Sequence, residues 1–184
     1  MFIHGCVLGQ TPEILAKFQI QHLPYCYSYA KNEAISTAEG RKYDQIDSLA
    51  LSPEVIEKYL TPKQKSNLDQ GFKGEYPSRY FAGQRLAEKN SFIVLTYQSL
   101  FSPVVECAAT FLCTLDKKGN CISNVLIASS LYVGMGRFVD GQQFPYYEDV
   151  ESCVDENLLI HVKGFGGTTM TYQINEKGEI VQLR

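Results

Sequence analysis

Leu115-Asp116-Lys117-Lys118-Gly119-Asn120-Cys121-Ile122 is the stretch whose reading decides the fold. An acid, two lysines and a glycine stand between two apolar, β-prone runs, the composition of a type I turn closed by a left-handed glycine. Glycine takes the positive φ that a side chain resists. A hairpin therefore joins a strand ending at Leu115 to one beginning at Cys121. With Asp116 facing Asn120, the simple register pairs Leu115 with Cys121, Thr114 with Ile122, Cys113 with Ser123 and Phe111 with Val125. Side chains alternate along a strand, so Phe111, Cys113 and Leu115 share one face, and Leu112 and Ala108 the other. A strand apolar on both sides is a central one.

Working outward, 79–131 reads as four consecutive strands joined by short turns. Near the end of the chain, Ile174-Asn175-Glu176-Lys177-Gly178-Glu179-Ile180-Val181 carries the same pattern of Asx, Lys-Gly and flanking aliphatics. No further matches accompany it, so two similar hairpins are expected rather than a duplicated unit.

Upstream the signals are helical and polar. Thr11-Pro12-Glu13 has a cap, a proline in the first turn and an acid near the positive helix end. Phe18-Gln19-Ile20-Gln21-His22 alternates and stops at Leu23-Pro24-Tyr25, and the chain then stays polar and Tyr-rich to Asp47. Ser52-Pro53-Glu54 opens a short helix with a stripe of Val55, Ile56, Tyr59 and Leu60. Thr61-Pro62-Lys63-Gln64 has capping-box spacing. The predicted fold is mainly β: an antiparallel meander forming a twisted sheet, barrel or sandwich, with short helices in the N-terminal third. Residues 11–184 form one β-rich domain in this reading. Residues 1–10, with Phe2, Ile3, Val7 and Leu8, suit either a signal-peptide remnant or a short strand. Ile3-His4-Gly5-Cys6 loosely resembles a lipoprotein cleavage box, which would allow a lipid anchor.

Composition narrows the function classes. The 184 residues are 45% hydrophobic and 20% charged, ordinary for a soluble globular protein with one sizeable core. A net charge of −3 argues against general nucleic-acid binding. No apolar run approaches the roughly 20 residues of a membrane-spanning helix. Abundant Tyr and Phe without Trp favour sheet. The cysteines at 6, 26, 107, 113, 121 and 153 form no CxxC pair, so no zinc site is expected. Most read as buried thiols, with room for one disulfide involving Cys107 or Cys153 in an oxidising compartment.

Candidate chemistry is sparse. His4, His22 and His161 sit in no HxH or HExxH pattern. Cys153 and His161 are the one Cys–His combination for a nucleophile, although His161 lies in a strand-like run. Gly164-Phe165-Gly166-Gly167 precedes a strand rather than a helix, so it reads as a turn and not a phosphate cradle; Gly134-Met135-Gly136 reads as a turn as well. Glu148, Asp149, Glu151, Asp155 and Glu156 follow Phe144-Pro145-Tyr146-Tyr147 without the spacing of a calcium loop. The expectation is a solvated loop between strands. Its sharper form is a partner-binding loop in which Phe144, Tyr146 and Tyr147 are aromatic anchors beside Glu148 and Asp149. No catalytic residue, metal ligand or cofactor is assigned.

The Leu23-Pro24-Tyr25 run, the short helical insert, the Asp-x-x-Gly hairpin after a hydrophobic strand and the closing Tyr172-Gln173-Ile174-Asn175-Glu176-Lys177-Gly178 together carry a resemblance. Over most of its length the chain resembles uncharacterised exported proteins and lipoproteins of the Bacteroidetes type. The resemblance implies a β-rich fold and a periplasmic or envelope location, and no reaction. The expectation is a non-enzymatic exported protein that binds a protein partner or surface component. The alternatives are an immunity protein neutralising a secreted toxin and a small Cys/His hydrolase.

Overall fold

The computed structural model describes residues 13–28, 49–60, 79–101, 107–139 and 142–183. The 1–10 segment, the 61–64 helical turn and Cys6 lie outside them. The four strands expected in 79–131 are present as β4 (Arg79–Glu88), β5 (Phe92–Phe101), β6 (Cys107–Asp116) and β7 (Cys121–Val139), each antiparallel to the next. The meander continues through β8 (Gln142–Val154), β9 (Leu159–Lys163), β10 (Thr169–Ile174) and β11 (Ile180–Leu183). Among the described residues, short upstream strands complete one 11-stranded sheet. β1 (Gln19–Ile20) lies parallel to β4, β2 (Tyr25–Tyr27) pairs with β8, and β3 (Ala50–Leu51) pairs with β4.

β6 is central, with Leu112, Cys113, Thr114 and Leu115 all fully buried. Its register departs from the simple one. Leu115 does face Cys121, but an irregularity next to it puts Thr114 opposite Ser123, Cys113 opposite Asn124 and Phe111 opposite Leu126. The extra residue is Ile122, which marks a β-bulge just beyond the turn. A second irregularity, in β4, surrounds Gly83, where β4 comes close to β5. A Cβ there would stand 2.5 Å from Thr96 Oγ1 and 2.6 Å from the Thr96 carbonyl oxygen. Backbone cannot yield as a side-chain tip can, so Gly83→Ala is expected to cost about 1–3 kcal/mol in urea unfolding.

The sheet bends so that its two halves face each other. Phe92, Val94, Leu112, Val125 and Ile127 from the first half pack with Val150, Val154, Ile160, Val162, Tyr172 and Ile174 from the second. The opposite face of the first half carries Ile93, Leu95, Tyr97, Cys113 and Leu115. That face is covered by N-terminal pieces: a 3-10 helix over Glu13–Lys17, and a helical segment that is α over Pro53–Val55 and π over Ile56–Leu60. Ser52 caps the latter as expected, its hydroxyl accepting the Val55 N–H. Asn124 Nδ2 donates to the Leu60 carbonyl and fixes the segment's end on the sheet.

Three hairpin turns have one design. In the first, Asp116 Oδ1 accepts the N–H groups of Lys118 and Asn120 at 2.8 Å each, and Gly119 has φ 85°. In the last, Asn175 Oδ1 accepts from Lys177 and Glu179 at 3.0 Å each, and Gly178 has φ 85°. Between them, Asp155 Oδ1 accepts from Asn157 and Leu159 at 2.9 and 2.8 Å. There the left-handed position is filled by Leu158, at φ 62°. The short polar side chain at the first position ties the turn to the backbone in all three.

Gly166 and Gly167, at φ 66° and 79°, do form a turn between β9 and β10. Gly134-Met135-Gly136 is instead strand interior, because β7 runs unbroken to Val139.

Candidate functional site

The segment expected to be a binding loop is strand. Phe144, Tyr146, Tyr147, Glu148 and Asp149 belong to β8, where Leu131 faces Glu148, Tyr132 faces Tyr147, and Ser130 faces Asp149. The acids beyond them take alternate positions. Asp149 and Glu151 are exposed while Val150, Ser152 and Val154 are buried, so the run is a half-buried strand whose outward residues are polar. Asp155 and Glu156 alone occupy a turn.

Outward positions of neighbouring strands form rows. One row crosses the second half of the sheet as Cys26, Cys153, His161, Thr171 and Leu183 on β2, β8, β9, β10 and β11. A flanking row carries Glu151, Lys163 and Thr169, with Ser28 Oγ donating to Glu151 Oε1 at 3.0 Å. On this face Cys26, His161 and Lys163 are exposed, and Thr171 Oγ1 lies 3.5 Å from His161 Nδ1. At the end of the row β11 is the last strand of the sheet among the described residues, and its Val181 and Leu183 are 46% and 45% exposed.

The Cys153–His161 combination suggested by sequence is thus a direct cross-strand pair. Its sulfur, however, is bonded to Cys26, the residue facing Cys153 from the other side. A disulfide sulfur offers no thiolate for attack on a substrate. The disulfide partner Cys26 was not legible: it sits 127 positions away, in the middle of a strand of three residues. Cys113 is a fully buried thiol, as expected, and burial pushes its pKa well up. It does not face Cys121 across the hairpin, as the sequence register required.

The inner surface beneath the row is polar in one place. Tyr27 is buried, its hydroxyl accepting from Gln98 Nε2 at 2.6 Å, and its ring meets Tyr25 edge-on at 5.3 Å. Burial raises the pKa of both phenols, and for Tyr25 the neighbouring Tyr27 charge adds to it. Both therefore stay protonated donors across the ordinary pH range. Tyr27 anchors β2 from below while the disulfide ties it from above.

Among the described residues, no group of three His, Cys, Asp or Glu is placed to hold a metal ion, and no helix is long and apolar enough to cross a membrane. Compared with known proteins, the chain matches no family model, no curated protein and no solved structure.

Proposed function

We propose that the protein is a non-enzymatic component of the periplasm or cell envelope that binds a protein partner along its open sheet edge. The observation that carries this reading is the Cys26–Cys153 disulfide, because such bonds persist in oxidising compartments and are rare in the cytosol. The binding surface follows from β11. It ends the strand order and exposes Val181 and Leu183, and a strand with an unpaired edge is a ready template for strand addition by a partner.

The test is a paired pull-down from native extract. A partner retained by the wild type should be lost with Val181→Lys plus Leu183→Lys, while the melting temperature stays within about 2 °C, as expected for exposed positions. Tyr146→Ser plus Tyr147→Ser is the comparison, and loss of the partner there alone would move the surface to β8. Mass spectrometry of the native protein without reductant should find the Cys26–Cys153 peptide pair, and two free thiols at these positions would remove the compartment argument.

A further inference from the structure

The disulfide is open to solvent rather than sealed in the core. Cys26 is exposed, and Cys153 is half-buried between the buried Ser152 and Val154. The strand it holds is short. β2 has three residues, paired as Tyr25 with Val154, Cys26 with Cys153 and Tyr27 with Ser152. Besides this ladder and the covalent bond, Ser28 is tied to Glu151, and the buried Tyr27 hydroxyl to Gln98, Thr110 and Tyr25. A disulfide with one exposed cysteine, on a strand of only three ladder residues, is placed for exchange chemistry.

We propose that Cys26–Cys153 is a thiol–disulfide exchange site, at which a dithiol reductant opens the bond and frees β2 from β8 while the rest of the sheet stays folded. The thiolate of the reductant attacks the Sγ of the exposed Cys26 and forms a mixed disulfide. The Cys26–Cys153 bond breaks, and its electron pair leaves on Cys153 Sγ, which takes up a proton. The second thiol of the reductant then attacks its own sulfur in the mixed disulfide and releases Cys26. The protein disulfide gains two electrons and two protons, and the dithiol becomes a disulfide.

Cys153 is suited to be the leaving sulfur. The residue facing it on β9 is the exposed His161, so the cross-strand neighbour on the outward face is polar and open to water rather than apolar. Lys163 is on the same face one row away, where it faces Glu151. Release of β2 uncovers the backbone edge of β8 at Ser152, Cys153 and Val154 and withdraws Tyr27 from the core. This goes beyond the binding role and holds whether or not β11 takes a partner.

The experiment treats the folded full chain with graded dithiothreitol, blocks free thiols with N-ethylmaleimide, and maps the label by peptide mass spectrometry alongside hydrogen–deuterium exchange. The expected result is labelling of Cys26 and Cys153 while Cys113 stays unlabelled. Faster exchange should be confined to 25–28 and 152–154. If Cys26 and Cys153 are labelled only together with Cys113, the bond opens through global unfolding and the proposal is overturned. Reduction that leaves exchange at 25–28 unchanged overturns it too, because β2 would then stay docked without the bond.

Discussion

Gly178→Ala should destabilise the protein by about 3 kcal/mol, far more than Gly166→Ala, although both glycines have positive φ. The difference lies in what surrounds them. A Cβ on Gly166 meets nothing within 4 Å, so the expected loss there is the dihedral strain alone, about 1 kcal/mol. A Cβ on Gly178 would stand 2.8 Å from Ile122 Cδ1 and 3.0 Å from both Cβ and Cγ of Phe92. The isoleucine tip can move, but the root of the phenylalanine cannot without disturbing β5. The turn is also pinned from two sides: the buried Thr114 hydroxyl donates to the Gly178 carbonyl at 2.5 Å, and Ser91 Oγ donates to the Glu176 carbonyl at 2.9 Å. Through these contacts the turn joins the end of the second half of the sheet to the first. A loss of about 3 kcal/mol corresponds to roughly 6–12 °C in melting temperature for a chain of this size. Equal losses at the two glycines in thermal and urea unfolding would mean that the turn does not pack on Phe92.

The first four strands of the meander and its closing hairpin were legible because the β-prone runs from Arg79 to Leu131, and those around Gly178, are bounded by turn signals. Gly119 and Gly178 are at positive φ for the reason their turns suggested. The register slipped by one because nothing in Ser123-Asn124-Val125 or its neighbours marks Ile122 as the bulged residue. Apolar residues on both sides of β6 make either register look equally buried, so alternation gave no warning. β8 resembles a loop in sequence for the opposite reason. Its outward acids and Pro145 have loop composition, and only the alternation of Asp149, Val150, Glu151 and Ser152 betrays a strand with one wet face.

The candidate site was less legible than the fold. A cross-strand disulfide is a statement about two strands that come together from distant parts of the chain, and β2 is too short to announce itself by periodicity. The placement of His161 next to Cys153 follows from the Asp155 turn, which fixes the register of β8 on β9. That turn lacks the Asx-Lys-Gly signature because the glycine position holds a leucine.

Leu158 should therefore invert the usual ranking of small substitutions: Leu158→Gly is expected to be more stable than Leu158→Ala. At an ordinary position glycine is the worse of the two by roughly 0.5–1 kcal/mol, because its unfolded chain is freer. Here the native φ is 62°, a conformation that costs a residue with a Cβ about 1–2 kcal/mol. The leucine tolerates it because its side chain is 5% exposed and packs in the core shared by Val154, Ile160 and Ile174. The backbone is held as well: Leu158 N–H donates to the Asp155 carbonyl at 3.0 Å, and its carbonyl accepts the Ile174 N–H at 3.2 Å. Leu158→Ala keeps the strained dihedral and loses the packing, a cost of about 3 kcal/mol. Leu158→Gly loses the same packing but relieves the dihedral, for a net cost of about 2 kcal/mol. Urea midpoints at unchanged slope would read the difference directly. An alanine variant more stable than the glycine variant would mean that Leu158 is not left-handed, and the third turn would then be unlike the other two.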